Sequence, residues 1–407
     1  MPLLAGSIAD LARAPELRVA LDWFRRERAW INEQHLKLCR VPAPTFLEQK
    51  RAEYMAERFQ DLGWESHVDR SGNVIAGLPG RRDNATVAVT AHLDTVLAPR
   101  SPEEIKLSSD GRLMGPGVSD NGAGLAALLA LAAAWNAAPP LPDTPLAPLL
   151  IANVGEEGEG NLSGMRYLCR ESNGSRPKAF LVLDGPNTDH ITCRALASRR
   201  FEVAVTGPGG HSWSDYGAGN PVHALSRVIA EFTSADFAVG APHEPAPRSS
   251  FNFGLIQGGT SINCIPTEAR AKVDLRSEKP EKIDEMVSLL TACVAQAADS
   301  ENARATGGRV TARLKEIGSR PGGELREGAP ILNCLLAVDA FLGIRSRLDC
   351  SSTDANIPLS LGIPAVSIGA GGQGGGAHTT AEWFHPESRE LGLRRILLAL
   401  CGLLLAE

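Results

Sequence analysis

Ala85-Thr-Val-Ala-Val-Thr-Ala91, followed by His92-Leu93-Asp94, is the stretch on which the reading of this chain turns. Seven small or β-branched residues without a charge read as a buried strand, and the strand delivers His92 at its end. Pro148 to Val154 (PLLIANV) repeats the pattern and leads to Glu156 and Glu157, and Lys178 to Leu183 (KAFLVL) repeats it again and leads to Asp184. In open α/β sheets ligands bind beyond the carboxyl ends of the strands, so three strands carry acidic or imidazole groups toward one cleft. Asp120 arrives differently. Gly117-Val-Ser-Asp120-Asn-Gly122 precedes the alanine- and leucine-rich run Ala123 to Trp135, which reads as a helix whose N-terminus favours a carboxylate. A late histidine, His378, follows a glycine-rich tract.

Taken singly, each of these residues has an ordinary explanation. A lone His after a strand is commonly a hydrogen-bonded loop residue, a strand-end Asp a cap or turn former, and a Glu pair a solvated turn. Their ordered coincidence is what points to metal. Five ligands suffice for two divalent ions if one carboxylate bridges them and water completes the shells. Two cations about 3.5–4 Å apart can share and acidify a water and polarise a carbonyl, which suits amide hydrolysis. Adjacent strand residues point to opposite sides, so of Glu156 and Glu157 one is expected to bind metal and the other to handle protons. Asp94, two residues after His92, is expected to reach the far ring nitrogen and fix its tautomer.

AHLDT (91–95), GVSDNGAG (117–124), GEEGEGNLSG (155–164), LDG (183–185), GPGGHSW (207–213), STDANIPLSLGIPAVSIG (352–369) and GGAHTTAEW (375–383) together resemble the co-catalytic zinc exopeptidases and amidohydrolases. That family includes peptidase T, glutamate carboxypeptidases, acetylornithine and succinyl-diaminopimelate deacylases and aminoacylases, and the resemblance is greatest to the peptidase T-like branch. It implies one metal on His92 and Asp184, a second on Glu157 and His378, and Asp120 between them. Glu156 is then the general base and acid, with Asp94 the partner of His92. It also implies that His211 polarises the substrate carbonyl in the partner subunit's site, and that Asn263 and Arg276 bind substrate, Arg276 through a carboxylate. Zinc is the ion expected from family and ligand type, with cobalt and manganese also suited.

The chain has 407 residues, more than one ordinary domain, and 43% hydrophobic residues, enough for sizeable cores. Residues 1–195 alternate helix and strand, with amphipathic segments at about 15–38 and 47–62. From Phe201 to residue 317 the order reads βαββαβ, a ferredoxin-like unit. The expected organisation is therefore an α/β catalytic domain with a mixed sheet in three layers (1–195 and 318–407), interrupted by a lid and dimerisation domain (196–317). A related aminopeptidase family has a similar ordered ligand set but lacks such an insert. The formal charge of −6 argues against a nucleic-acid surface. Eight scattered cysteines without a Cys-x-x-Cys suggest reduced thiols in a cytoplasmic enzyme. Apolar runs are too short to span a membrane, and no secretory signal is evident. Gly369-Ala-Gly371-Gly-Gln-Gly374 satisfies G-x-G-x-x-G but runs into GGAHTTAEW instead of a helix, so it is read as backbone freedom for placing His378. Expected substrates are short peptides or, alternatively, N-acyl amino acids, handled by a homodimer. An inactive metal-binding module is a third reading, which Glu156 disfavours.

Overall fold

Alternation along the central strands sets the layering. Strand Thr86–His92 sends Val87, Val89 and Ala91 into one apolar cluster and Ala88 into another. Strand Ala179–Leu183 likewise separates Ala179, Leu181 and Leu183 from Phe180 and Val182. Both faces are apolar because both are covered. Helices Gly122–Ala137, Pro330–Leu342 and Arg389–Leu404 pack with the N-terminal helices in the larger cluster, and Ser163–Leu168 and Asn356–Ser360 contribute to the smaller one. Helix Gly122–Ala137 is buried on nearly every side, which is why its sequence shows no polar stripe.

The computed structural model describes residues 5–81, 84–137, 144–170, 177–235 and 248–405, so of the Pro-rich loop expected at 139–148 the residues 139–143 lie outside it. The chain divides into two compact units, Met1–Ala195 with Gly323–Glu407, and Leu196–Gly322. The first holds a nine-stranded mixed sheet in the order Glu65–Val68, Val74–Gly77, Ala147–Asn153, Thr86–His92, Ala179–Leu183, Ala365–Ile368, His190–Ala195, Gly323–Glu324, with Arg347–Ser351 also paired to His190–Ala195. Thr86–His92 runs parallel to both neighbours, His92 standing opposite Asn153. The strands leading to His92, Glu156 and Asp184 therefore end on the same side.

The second unit is a four-stranded antiparallel sheet in the order Ser249–Gly258, Glu268–Ser277, Ala197–Thr206, Thr311–Arg320, with helices Pro221–Thr233 and Pro280–Arg304. This is the βαββαβ order expected. Phe201, Val203 and Val205 alternate into a separate core with Ala269, Ala271, Val273 and Leu275, covered by the helices. Asn220 starts the first helix by accepting the Val222 and His223 amides, with Pro221 in the first turn.

Two boundaries differ from expectation. The last strand of the insert continues to Arg320, still paired with Ser198, so the second unit ends at Gly322 and not at 317. The segment at 15–38 is two helices, Pro15–Arg26 and Arg28–Cys39, because Glu27 leaves the helical region at φ −99°, ψ 25°. Neither Gly nor Pro marks that break in the sequence.

Candidate metal centre

His92 is placed by backbone. Its Nδ1 lies 2.9 Å from the Asp94 carbonyl, which can only accept, so Nδ1 carries the proton of the neutral ring. Nε2 is left to face Asp120 Oδ1 at 3.1 Å and Asp184 Oδ1 at 3.9 Å. The Asp94 carboxylate is farther from the ring, at 3.5 Å. The expected carboxylate contact is thus secondary to the carbonyl, and the carboxylate is committed elsewhere. It accepts the Glu156 amide at 3.0 Å, the Glu157 amide at 2.9 Å and the Thr45 hydroxyl at 3.0 Å. Residues 41–51 brace this turn further: Arg51 donates to the Leu93 carbonyl at 2.8 Å, and Glu48 accepts the Gly155 amide at 3.2 Å.

Asp120 sits on a loop held from three directions. Glu382, 2% exposed, accepts the backbone amides of Gly117, Ser119 and Asp120 at 2.7, 2.7 and 2.8 Å. Gly117 adopts φ +76°, which suits glycine. Asn121 donates to the Leu183 carbonyl at 2.8 Å and accepts the Gly185 amide at 3.3 Å, tying Asp120 to the segment bearing Asp184. His35 hydrogen-bonds the Val118 carbonyl through Nε2 at 2.7 Å.

The ligand atoms converge into groups whose members lie within 4.8 Å of one another: His92, Asp120 and Asp184; Asp120, Glu157 and His378; and His92, Glu156 and Glu157. His378 Nε2 stands 3.2 Å from Asp120 Oδ2 and 3.1 Å from Glu157 Oε1. The two oxygens of Asp120 therefore face different histidines. The expectation that Glu156 and Glu157 point to opposite sides is corrected. Both lie beyond the strand, which ends at Asn153, so the two-residue alternation no longer applies and both carboxylates approach His92. What separates them is that Glu157 also joins the group with Asp120 and His378.

The electrostatics fit a cation. Burial pushes Glu157 up to about 7, the His92 and His378 charges opposing it and the Asp120 and Asp94 charges adding to it. Burial also raises Asp354, to about 6. Burial alone would lower His92, but its hydrogen bonds with Asp120 and Asp94 hold it well above its usual value. Asp120 is held far below the carboxylate range: burial would raise it, and the hydrogen bonds from His378 and His92 overcome that. Without a metal the cluster gathers protons to balance buried carboxylates. Bound divalent cations would replace those protons, and the donors are all nitrogen or oxygen.

The remaining candidates belong to the second unit. Strand Gly210–His211 pairs with Cys264–Ile265, and Ser212 donates to the Asn263 carbonyl at 3.0 Å, so His211 and Asn263 are neighbours. His211 Nδ1 accepts the Trp213 amide at 3.2 Å, leaving Nε2 to carry the ring proton. Trp213 is 86% exposed and does not pack as a core residue. Arg276 lies on a different sheet and bonds Asp274 at 2.6 Å. Glu382, Asn121, Glu48 and Thr45 were not singled out by sequence. Glu382 carried the only signal, four residues after His378.

Residues 196–302 match the family model described as the peptidase dimerisation domain, and residues 73–205 match the one described as peptidase family M28. Over both stretches the chain is similar to peptidase domains. The matched families are hydrolytic, and this chain is an enzyme of that kind. Protein YqjE of Bacillus subtilis (strain 168) is 25% identical over 83% of this chain and 89% of its own length. A succinyl-diaminopimelate desuccinylase of Bordetella petrii is 28% identical over 58% of this chain, a match spanning 65% of the desuccinylase, just under two thirds. The crystal structure of aminopeptidase PepT from Bacillus cereus superposes with a TM-score of 0.69 at 21% identity, covering 91% of this chain and 97% of that one, a likeness of fold. The match over the insert distinguishes this chain from one that lacks such a domain.

Proposed function

We propose that this chain is a two-metal hydrolase that cleaves amide bonds of short peptides, acting as an exopeptidase. The observation carrying the reading is that two ligand groups, His92 with Asp184 and Glu157 with His378, both include Asp120. Zinc ions held there would supply Lewis acidity to the scissile carbonyl and lower the pKa of the attacking water, and cobalt or manganese could do the same. Glu156, adjacent to the cluster but outside the group holding His378, takes the proton from that water. As the C–N bond breaks, it returns the proton to the leaving amine. Asp94 keeps both glutamates in register through their amides. His92 presents its bare Nε2 because the Asp94 carbonyl holds the other nitrogen.

In the second unit, exposed His211 and Asn263 are assigned to the substrate, His211 donating from Nε2 to the carbonyl oxygen, and Arg276 to a substrate carboxylate. The dimerisation-domain match supports a homodimer in which these residues serve the partner's site. Eight free thiols suit a cytoplasmic location, and no helix among the described residues is long and apolar enough to cross a membrane.

The desuccinylase relatives favour one alternative, an N-acyl amino acid amidohydrolase using the same centre on an acyl group. A panel of dipeptides, tripeptides and N-acyl amino acids, read with metal analysis, decides. Peptide turnover dependent on bound metal supports the first reading, turnover of N-acyl amino acids alone replaces it, and a metal-loaded protein inert on all of them rejects both.

A further inference from the structure

The segment that supplies His378 goes on to grip the loop that carries Asp120. Glu382, four residues beyond His378 and buried, accepts the Gly117 amide on Oε2 at 2.7 Å and the Ser119 and Asp120 amides on Oε1 at 2.7 and 2.8 Å. Its backbone carbonyl accepts the Gly115 amide at 2.9 Å, and Trp383 pairs with Met114, so the same segment also fixes the start of that loop. The Val118 carbonyl is taken by His35 at 2.7 Å, and the His35 ring in turn packs on Phe384 and accepts from Arg389 at 2.6 Å.

Asp120 is thus tied in two directions. Asn121 joins it to the segment of Asp184, donating to the Leu183 carbonyl at 2.8 Å and accepting the Gly185 amide at 3.3 Å. Glu382 joins it to the hairpin of His378. The Asp120 oxygens divide in the same way, Oδ1 facing His92 at 3.1 Å and Oδ2 facing His378 at 3.2 Å. A loop brace accounts for the amide bonds, but not for a second carboxylate in this place. Burial pushes the Glu382 carboxyl up, the three amides oppose that, and the Asp120 charge adds to the rise. A neutral amide side chain would avoid setting one negative charge beside another, yet it offers a single oxygen where this geometry uses two.

We propose that Glu382 is a positioning residue of the metal centre: it holds Asp120 in register with His378 and so governs the metal position that those two share with Glu157, while Asn121 keeps Asp120 in register with Asp184. The inference rests on the two-metal reading above. Zinc titration of the full-length, metal-stripped protein against a chromogenic chelator gives the two affinities, and H378A, which loses a ligand at one position only, identifies which is which. E382Q keeps the shape but turns a donor toward a backbone N–H. E382D keeps the charge and both oxygens but shortens the reach. Each should weaken the His378 position about tenfold or more while the His92 and Asp184 position stays close to wild type. Added to H378A, E382Q should cause no further loss of zinc affinity, as expected of residues that act through one position. Equal weakening of both positions, the mark of a merely structural role, overturns the inference, as does wild-type affinity at the His378 position in both variants. A wild-type chain that takes up a single ion removes instead the two-metal reading, and this inference with it.

Discussion

Asp120 offers one oxygen to each histidine, and this sharing makes it the most sensitive position in the centre. Asp120→Ala should therefore leave dialysed protein without metal at either position by elemental analysis. Glu156→Gln should retain metal and lower kcat by about 10²–10⁴. Retained turnover in Glu156→Gln would remove it as the base. A pH signature follows from His378, which its hydrogen bond to Asp120 raises to about 9 in the metal-free protein. A raised folded-state value means that its contribution to stability is complete below the unfolded value, 6.5, and is lost as pH rises through about 9. Urea unfolding of chelator-treated protein should show the midpoint falling across that window in the wild type, with a smaller fall in His378→Ala. The candidate ligands were legible in the sequence because they are chemistry-bearing residues, His92, Glu157 and Asp184 following recognisable strands, Asp120 preceding a helix and His378 following a glycine-rich tract. Glu382 was not, because it acts on amides more than 260 positions away in sequence, and no local pattern reports such a contact.

At the scale of elements, the hairpin of strands Gln373–Gly375 and Trp383–His385, with His378 between them, is positioned by close approach. A Cβ on Gly374 would stand 2.8 Å from the Pro186 side chain and 3.1 Å from the Trp383 carbonyl, and closer still to the Ser119 hydroxyl, next to Asp120. Gly374→Ala should push the hairpin outward and weaken the metal position that His378 serves, while the far-ultraviolet circular dichroism stays native. Competition with a chromogenic chelator measures it, and unchanged affinity at both positions would show that the hairpin yields. Strands were legible because apolar runs such as ATVAVTA leave little else to be. The break at Glu27 was not legible, since helical periodicity continues through it. The Glu156-Glu157 geometry was misread for a related reason: strand alternation was carried three residues past the strand's actual end.

Across the whole molecule, two units with separate apolar cores should respond separately to metal, since all five candidate ligands lie in the first. Scanning calorimetry should resolve a transition that chelator moves down and another that it leaves in place, because a ligand stabilises only the unit that binds it. A single transition shifting as one would show that the units unfold together. The βαββαβ order was legible from spacing alone, and only its last strand was cut short. The insert also falls between Asp184 and His378 in the chain. On the ribosome, four of the five expected ligands emerge first and then wait, for on the order of ten seconds at typical elongation rates, while a self-contained sheet and two helices are made. The insert can fold on its own during that delay, but the centre stays open along one side until the final histidine is translated, so cation capture must come late in biosynthesis.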